Sequence, residues 1–428
     1  MKKINRFAAA ALSFALATTF AGCNAPEAIT FGNGTKNALT IDGYDVPAGI
    51  FINNEIVAYK QAMYNQFLST GSLPTYDDIK GSKIEDMDAE DWIQNEATET
   101  CKLFVAVERE FDKLGEELTD EEKDEIKNYI KSISDNDLFS DNGISEDSIK
   151  KTYENTYKQE HIFDHYFGID GEMGCSEDDL KEYFKDNTAR VKYVAIKTTD
   201  ADGNALEDDA KRELDTKIDK WIREINAEPT NEKKLAKMDD IKTEYDEYTQ
   251  SLTTTLASEG DETAVTTTTT AATTTETGSD GSAATTTTTT TDPYANEVTV
   301  TKMTTTEPAD NKNDTTTTEP AEETDAEKAE KALNEKIFGD MPLYKAEKYE
   351  YDKDTVYILI KGDIAERMTD NDLWSEDQVK TVLRNRYADA FSDWIEGIAN
   401  SYSVEKNDSA YKRYAPFKLD IKDVSLYG

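Results

Sequence analysis

The chain is poor in the side chains that carry most enzymatic and metal chemistry. Its 428 residues include two histidines, three cysteines and nine prolines. Two histidines cannot furnish a three-His zinc site, and a mixed His/Cys cluster is nearly excluded as well. Basic residues are also scarce: 48 Lys+Arg stand against 89 Asp+Glu, a formal net charge of −41. A surface that tracks phosphates is therefore not expected, and neither is a nucleic-acid partner. No Gly-rich phosphate loop or Ser/His/Asp spacing stands out, and no cofactor is expected. Aromatic residues, by contrast, are plentiful at 10%, with 22 Tyr and 15 Phe. Such a chain is no simple acidic coil, and its length suggests two or three domains.

The first residues read as an address. Lys2, Lys3 and Arg6 precede an apolar run from Phe7 to Ala21. That run is too short to span a bilayer comfortably and reads as the core of a signal peptide, residues 1–22. Phe20-Ala21-Gly22-Cys23 resembles a bacterial lipobox, with Phe20 where leucine is more usual. The resemblance implies cleavage before Cys23, lipidation of its sulfur and an extracytoplasmic chain anchored to a bacterial cell membrane. Two acyl chains anchor stably where one is marginal. Ordinary secretion with a free Cys23 is the alternative. Residues 23–36 read as a tether.

A threonine tract divides the remainder. Between Ser251 and Pro320, 29 of 70 residues are threonine. Leucine, isoleucine and phenylalanine almost vanish there, so little offsets the entropy of ordering, and residues 251–326 read as a disordered insertion. Lengthening a turn of about 5 residues to about 75 costs only about 2.4 kcal/mol. One domain can therefore carry such a loop.

Before the tract, helical periodicity dominates. Ile93, Ala97, Cys101, Phe104, Val107, Phe111 and Leu114 recur at three and four, which predicts one long amphipathic helix. Thr119 and Glu122 fit a capping box, while Ser145 and Ser176 open two further helices. From Val191 to Lys197 the period switches to two, predicting a strand. Ala210 to Ile225 and Leu235 to Ile241 predict two helices. Beyond the tract, Glu327–Phe338 reads as a helix. Tyr349–Tyr351 and Thr355–Ile360 read as a hairpin turning at Asp352–Asp354, and Ser375–Ser401 as a last helix. Tyr411–Val424 reads as extended. The order strand, helices, insert, helix, two strands predicts an α+β chain: a mainly helical domain plus a small antiparallel-sheet domain interrupted by the insertion.

Several of these segments resemble the PrsA/SurA-type secreted foldases, in which a helical chaperone domain accompanies a parvulin-type prolyl isomerase domain. Leu39-Thr40-Ile41-Asp42-Gly43-Tyr44-Asp45-Val46 resembles the opening strand and its glycine turn. Gly143 through Tyr157 resembles the helix where the chaperone domain turns back. Ser176–Asn187, an acidic helix ending in Asn directly before a strand, is the most specific match. Phe338-Gly339-Asp340-Met341 and Thr355–Lys361 resemble the closing half of a parvulin domain. The resemblance implies a chaperone domain over 37–190 completed by 363–428, and a split parvulin-like domain over 191–250 and 327–362. It also implies a partner class of unfolded or newly secreted polypeptides, with a second copy of the chain as a further candidate.

Active parvulins carry facing histidines in their first and last strands. Aligned to them, this chain has Tyr193 and Tyr357, and the resemblance places Leu333, Phe338 and Met341 around the same candidate pocket. A phenol keeps its proton at pH 7 and cannot replace a tunable imidazole pair. Little or no isomerase activity is expected. An active isomerase with a drifted pocket and a structural surface lipoprotein are the alternatives. His161 and His165 share a helix face at a spacing that can clamp a metal, but no Cys or third His is placed to complete the site, although Asp164 and Glu160 are near, and a packed helix face is the simpler reading. Asp200–Asn204 reads as a turn rather than a calcium loop. Cys101 and Cys175 are free to pair or to remain thiols.

Overall fold

The computed structural model describes residues 36–133, 136–200, 203–258, 292–303 and 324–426. The expected signal peptide, Cys23, nearly all of the expected tether and most of the threonine tract lie outside these residues, as do Ala201 and Asp202 of the expected turn. The described residues are α+β and form two compact units that divide at Leu180/Lys181 and Gln378/Val379, with the described residues of 36–180 and 379–426 in one and those of 181–378 in the other.

The first unit begins with β1 (Leu39–Ile41) and β2 (Tyr44–Asp45), which form a hairpin. Its turn holds Asp42 and Gly43 at φ 47° and 81°, the left-handed region that glycine enters without cost. Helix α1 (Ala48–Thr70) follows, then α2 (Tyr76–Lys80) and the small hairpin β3 (Lys83–Ile84) and β4 (Met87–Asp88). Helix α3 (Ala89–Leu114) carries the predicted stripe inward, with Ile93, Ala97 and Cys101 fully buried. Helix α4 (Asp120–Ile133) has the expected cap: Glu122 N donates to Thr119 Oγ1 at 3.2 Å, and Thr119 N donates to Glu122 Oε2 at 2.7 Å. Helix α5 (Asp137–Asp141) and the long α6 (Glu146–Phe167), capped by Ser145, complete this stretch. Helix α7 (Glu177–Asn187) carries the boundary between the units.

The second unit opens with the ten-residue strand β5 (Thr188–Lys197). Helices α8 (Asp208–Ala227) and α9 (Asn231–Ser258) follow. Next come β6 (Val298–Thr301), α10 (Asp325–Phe338), β7 (Glu347–Asp352), β8 (Thr355–Gly362) and a 3-10 turn at Ile364–Arg367. The four strands form one antiparallel sheet in the order β6-β5-β8-β7. The segments on either side of the threonine tract therefore pair directly, from Arg190↔Gly362 to Lys197↔Thr355. Alternation sends Val194, Ile196, Val356, Ile358 and Ile360 to one face, where Leu214, Ile218, Trp221 and Ile225 of α8 and Leu235, Met238 and Ile241 of α9 cover them.

Helix α11 (Glu376–Asn400) carries the chain across the second boundary. In the first unit its Phe391 packs edge-on to Phe163 and Phe167 of α6, at 5.3 and 5.6 Å between ring centres. Strand β9 (Val404–Lys406) then pairs with β1, and α12 (Asp408–Arg413) follows.

Four boundaries differ from the sequence expectation. Residues 251–326 are not uniformly outside the fold: α9 runs to Ser258, Asp292–Met303 is ordered with β6 inside it, and α10 starts at Asp325. Within the tract, Tyr294 and Val300 supply apolar contacts that neighbouring threonines lack. Residues 363–378 belong with the sheet, because Ile364 and Trp374 are buried and Trp374 packs on Phe184 at 5.6 Å. The same contact draws residues 181–190 into the sheet unit. The stretch Tyr411–Val424 is helical at its start, with Asn407 capping α12, and a 3-10 turn follows at Pro416–Lys418.

Candidate functional site

The second face of the sheet is covered at one end only. Helix α10 has 14 residues, about 21 Å of length, and the strands beneath it run to about 33 Å. Its Ile337, with Met341 just beyond it, buries Ala189 and Val191 of β5 and Leu359 of β8. Past that end β5 continues uncovered: Tyr193, Ala195 and Lys197 are exposed, Tyr193 by 42%.

Three tyrosines occupy the uncovered end. Tyr193 of β5 stacks on Tyr357 of β8 with ring centres 4.8 Å apart, and Tyr351 of β7 stacks on the other side of Tyr357 at 4.7 Å. The planes meet at 25° and 15°. The register explains the ladder. Tyr193 lies opposite Leu359 and Tyr357 opposite Ala195, so the two tyrosines are diagonal neighbours on one face, a spacing that aromatic side chains bridge readily. Burial pushes the Tyr357 hydroxyl up to about 12, aided by Tyr351, Tyr193 and Asp352. That phenol is neutral at physiological pH. It can stack and exchange hydrogen bonds, and it has no proton to move near neutrality.

All five residues of the expected pocket share this face. Leu333, Phe338, Met341 and Tyr357 join one apolar cluster, and Tyr193 is attached through Tyr357. Their accessibility differs. Met341 is buried and forms the floor, whereas Leu333, Phe338 and Tyr357 are half-buried and Tyr193 is open. Lys361 borders the covered end, its ammonium 5.7 Å from the Phe338 ring centre and donating to the Ile337 carbonyl at 2.7 Å. Burial lowers the pKa of Lys361.

Sequence reasoning missed Tyr351, whose alternation with Tyr349 was visible but whose partner was not. It also missed a set of charges on the helix-covered side: buried Arg190 and Lys192 of β5, the buried side chain of Glu297 before β6, and half-buried Arg367. An Arg and a Lys at alternate positions of a strand that is otherwise apolar were the available signal.

The two histidines lie in the helical unit. His161 is held between Glu116 and Glu122, each 2.8 Å from a ring nitrogen, and it packs edge-on against Phe111. Burial lowers its pKa, but the two carboxylates outweigh it and the net shift is upward. Among the described residues no group of three or more His, Cys, Asp or Glu is placed to hold a metal. Cys101 and Cys175 are unpaired thiols; Cys101 is fully buried and accepts a hydrogen bond from Asn54 at 3.3 Å. No helix among the described residues is long and apolar enough to cross a membrane.

No family model, curated protein or solved structure matches the chain.

Proposed function

We propose that the chain is a membrane-anchored, extracytoplasmic chaperone of the foldase type, tethered through Cys23, whose sheet unit holds extended polypeptide with little prolyl isomerisation. The observation that carries this reading is the Tyr193–Tyr357–Tyr351 ladder on the uncovered end of the sheet. Soluble domains normally cover such a face, and a row of stacked rings with Tyr193 exposed and Tyr357 and Tyr351 half-buried is a binding feature. Two further points support it. The positions aligned with the two parvulin histidines come from sequence-distant strands that pair side by side. The remaining expected pocket residues line the same face. Flat phenol faces suit an extended chain, since they stack on prolyl and aromatic side chains while their hydroxyls reach backbone amides. With phenols in place of imidazoles, catalysis of a rotation whose barrier is ~18–20 kcal/mol is expected to be weak.

The test uses the mature chain in two assays. Suppression of aggregation of an unfolded client at stoichiometric amounts supports the reading, and its absence favours a structural surface lipoprotein. Acceleration of proline-peptide isomerisation to the level of an active parvulin contradicts the non-catalytic assignment.

A further inference from the structure

The ordered stretch 292–303 lies at the edge of its unit's sheet, and its strand, like β7, places no buried residue in the core. All the buried residues of the two apolar clusters lie outside it, and it contributes only half-buried Tyr294 and Val300 at their margins. The core of the sheet unit is thus closed without it. What holds it is a set of specific polar contacts.

Glu297 is the centre of that set. Its side chain is 1% exposed, with Oε2 3.0 Å from Arg367 Nη1 and 3.6 Å from Arg190 Nη1. The same two guanidiniums lie within cation–π range of the Tyr294 ring, the Arg190 Cζ 5.0 Å and the Arg367 Cζ 5.4 Å from its centre. Lys192 Nζ donates to the Pro293 carbonyl at 3.3 Å and pairs with Asp239 at 2.7 Å. Asp239 in turn accepts from Asn296 at 3.1 Å. Asn334 of α10 takes the other end, accepting from Met303 N at 2.9 Å and donating to the Thr301 carbonyl at 2.8 Å. Between these grips β6 pairs with β5 from Val191↔Val298 to Thr188↔Thr301.

The receiving side is built independently of the segment. Asp372 holds Arg367 by two bonds of 2.7 Å. Arg190 donates to Glu366 at 2.8 Å and to the Tyr344 hydroxyl at 2.6 Å. Gly362, opposite Arg190 in β8, makes room for the guanidinium, because a Cβ there would collide with Arg190 Nε. Arg190 Nε and Nη1 and Glu297 Oε1 are buried without hydrogen-bond partners. Polar contacts with unmatched atoms are typical of a surface brought up to another surface, and they hold less firmly than a dry core.

We infer that residues 292–303 are a peptide ligand bound in cis, and that the groove of Arg190, Lys192, Asp239, Asn334 and Arg367 is a separable strand-binding site. Its ligand class is an extended peptide carrying Tyr, Glu three residues later, and β-branched residues at the next position and two beyond. Main-chain pairing to β5 supplies affinity, and the two arginines read the Tyr and Glu. Arg190 and Lys192 point to the opposite sheet face from the tyrosine ladder, Asn334 reaches the strand from α10 on the ladder side, and the inference does not rest on the foldase reading.

The test is made on folded protein. Protease recognition sequences replace Thr266–Thr270 and Thr315–Thr318 of the full mature chain, and both are cut after purification. A fluorescent peptide of residues 292–303 is then added. We expect it to replace the resident segment, and peptides bearing Glu297→Gln or Tyr294→Ala to bind at least about tenfold more weakly. Failure of the labelled peptide to enter the doubly cut chain, whose fold is checked by circular dichroism, would overturn the inference. Equal entry of all three peptides would overturn the assigned recognition.

Discussion

The two faces of the sheet in the second unit are made from the same strands and end differently. On one, α8 and α9 cover Val194 and Ile196 of β5 and Val356, Ile358 and Ile360 of β8, and Ile196, Ile358 and Ile360 are completely buried. On the other, the single helix α10 reaches only the end at Ala189, Val191 and Leu359, leaving Tyr193, Tyr357 and Tyr351 as a ladder beyond it. Strand alternation provides two faces. Helix number and length decide which part of each remains available. A face closed by two helices contributes stability, and a face closed by one leaves an aromatic surface that stability does not require.

The sharpest way to break this contrast is Ile358→Ala on the closed face. Ile358 is 0% exposed, and truncation there is expected to lower unfolding free energy by about 2–5 kcal/mol in denaturant titration. Next in size is Gly362→Ala, which forces Arg190 to move because the new methyl meets its guanidinium. A loss of about 1–3 kcal/mol is expected, together with loss of hydrogen-exchange protection in β6 before that in β8. Protection lost equally in both strands would show that β6 is as integral as its neighbours.

The helical unit offers a pH-dependent control that should leave both faces untouched. The folded pKa of His161 is raised, so its stabilising contribution is complete below about pH 6.5, its unfolded value, and is lost as pH rises through the folded value. For a partly exposed group this amounts to less than about 1 kcal/mol. His161→Gln should flatten the pH dependence of the melting temperature above pH 6.5 while leaving client holding unchanged. The smallest stability effect belongs to Tyr193→Ala on the open face. A side chain 42% exposed should cost under about 1 kcal/mol, yet aggregation suppression should fall several-fold. If Tyr193→Ala destabilises as much as Ile358→Ala, the two faces are alike and the ladder is core.

Features governed by neighbours in sequence were legible from the sequence. The Thr119/Glu122 cap, the Ser145 cap, the stripe of α3 and the alternation of β5 and β8 all depend on residues within a turn or two. The candidate pocket came from the resemblance and not from periodicity, and the fold brings its five residues to one face. What escaped was determined at a distance. Strand β6 is short and lies among threonines, and Arg190, Lys192, Asp239, Asn334, Arg367 and the edge of β5 fix its place. Strand β9 is three residues long and exists through its pairing with β1. Residues 363–378 carry no periodicity that favours one unit, and Trp374 finds Phe184 only in the folded chain.

The most direct measurement compares the mature chain with a Tyr193→Ala, Tyr351→Ala, Tyr357→Ala triple variant in client aggregation, at a temperature where circular dichroism shows both folded. Loss of suppression by the triple variant with its sheet intact is the expected result. Undiminished suppression would contradict the assignment of the tyrosine ladder as the surface that holds polypeptide.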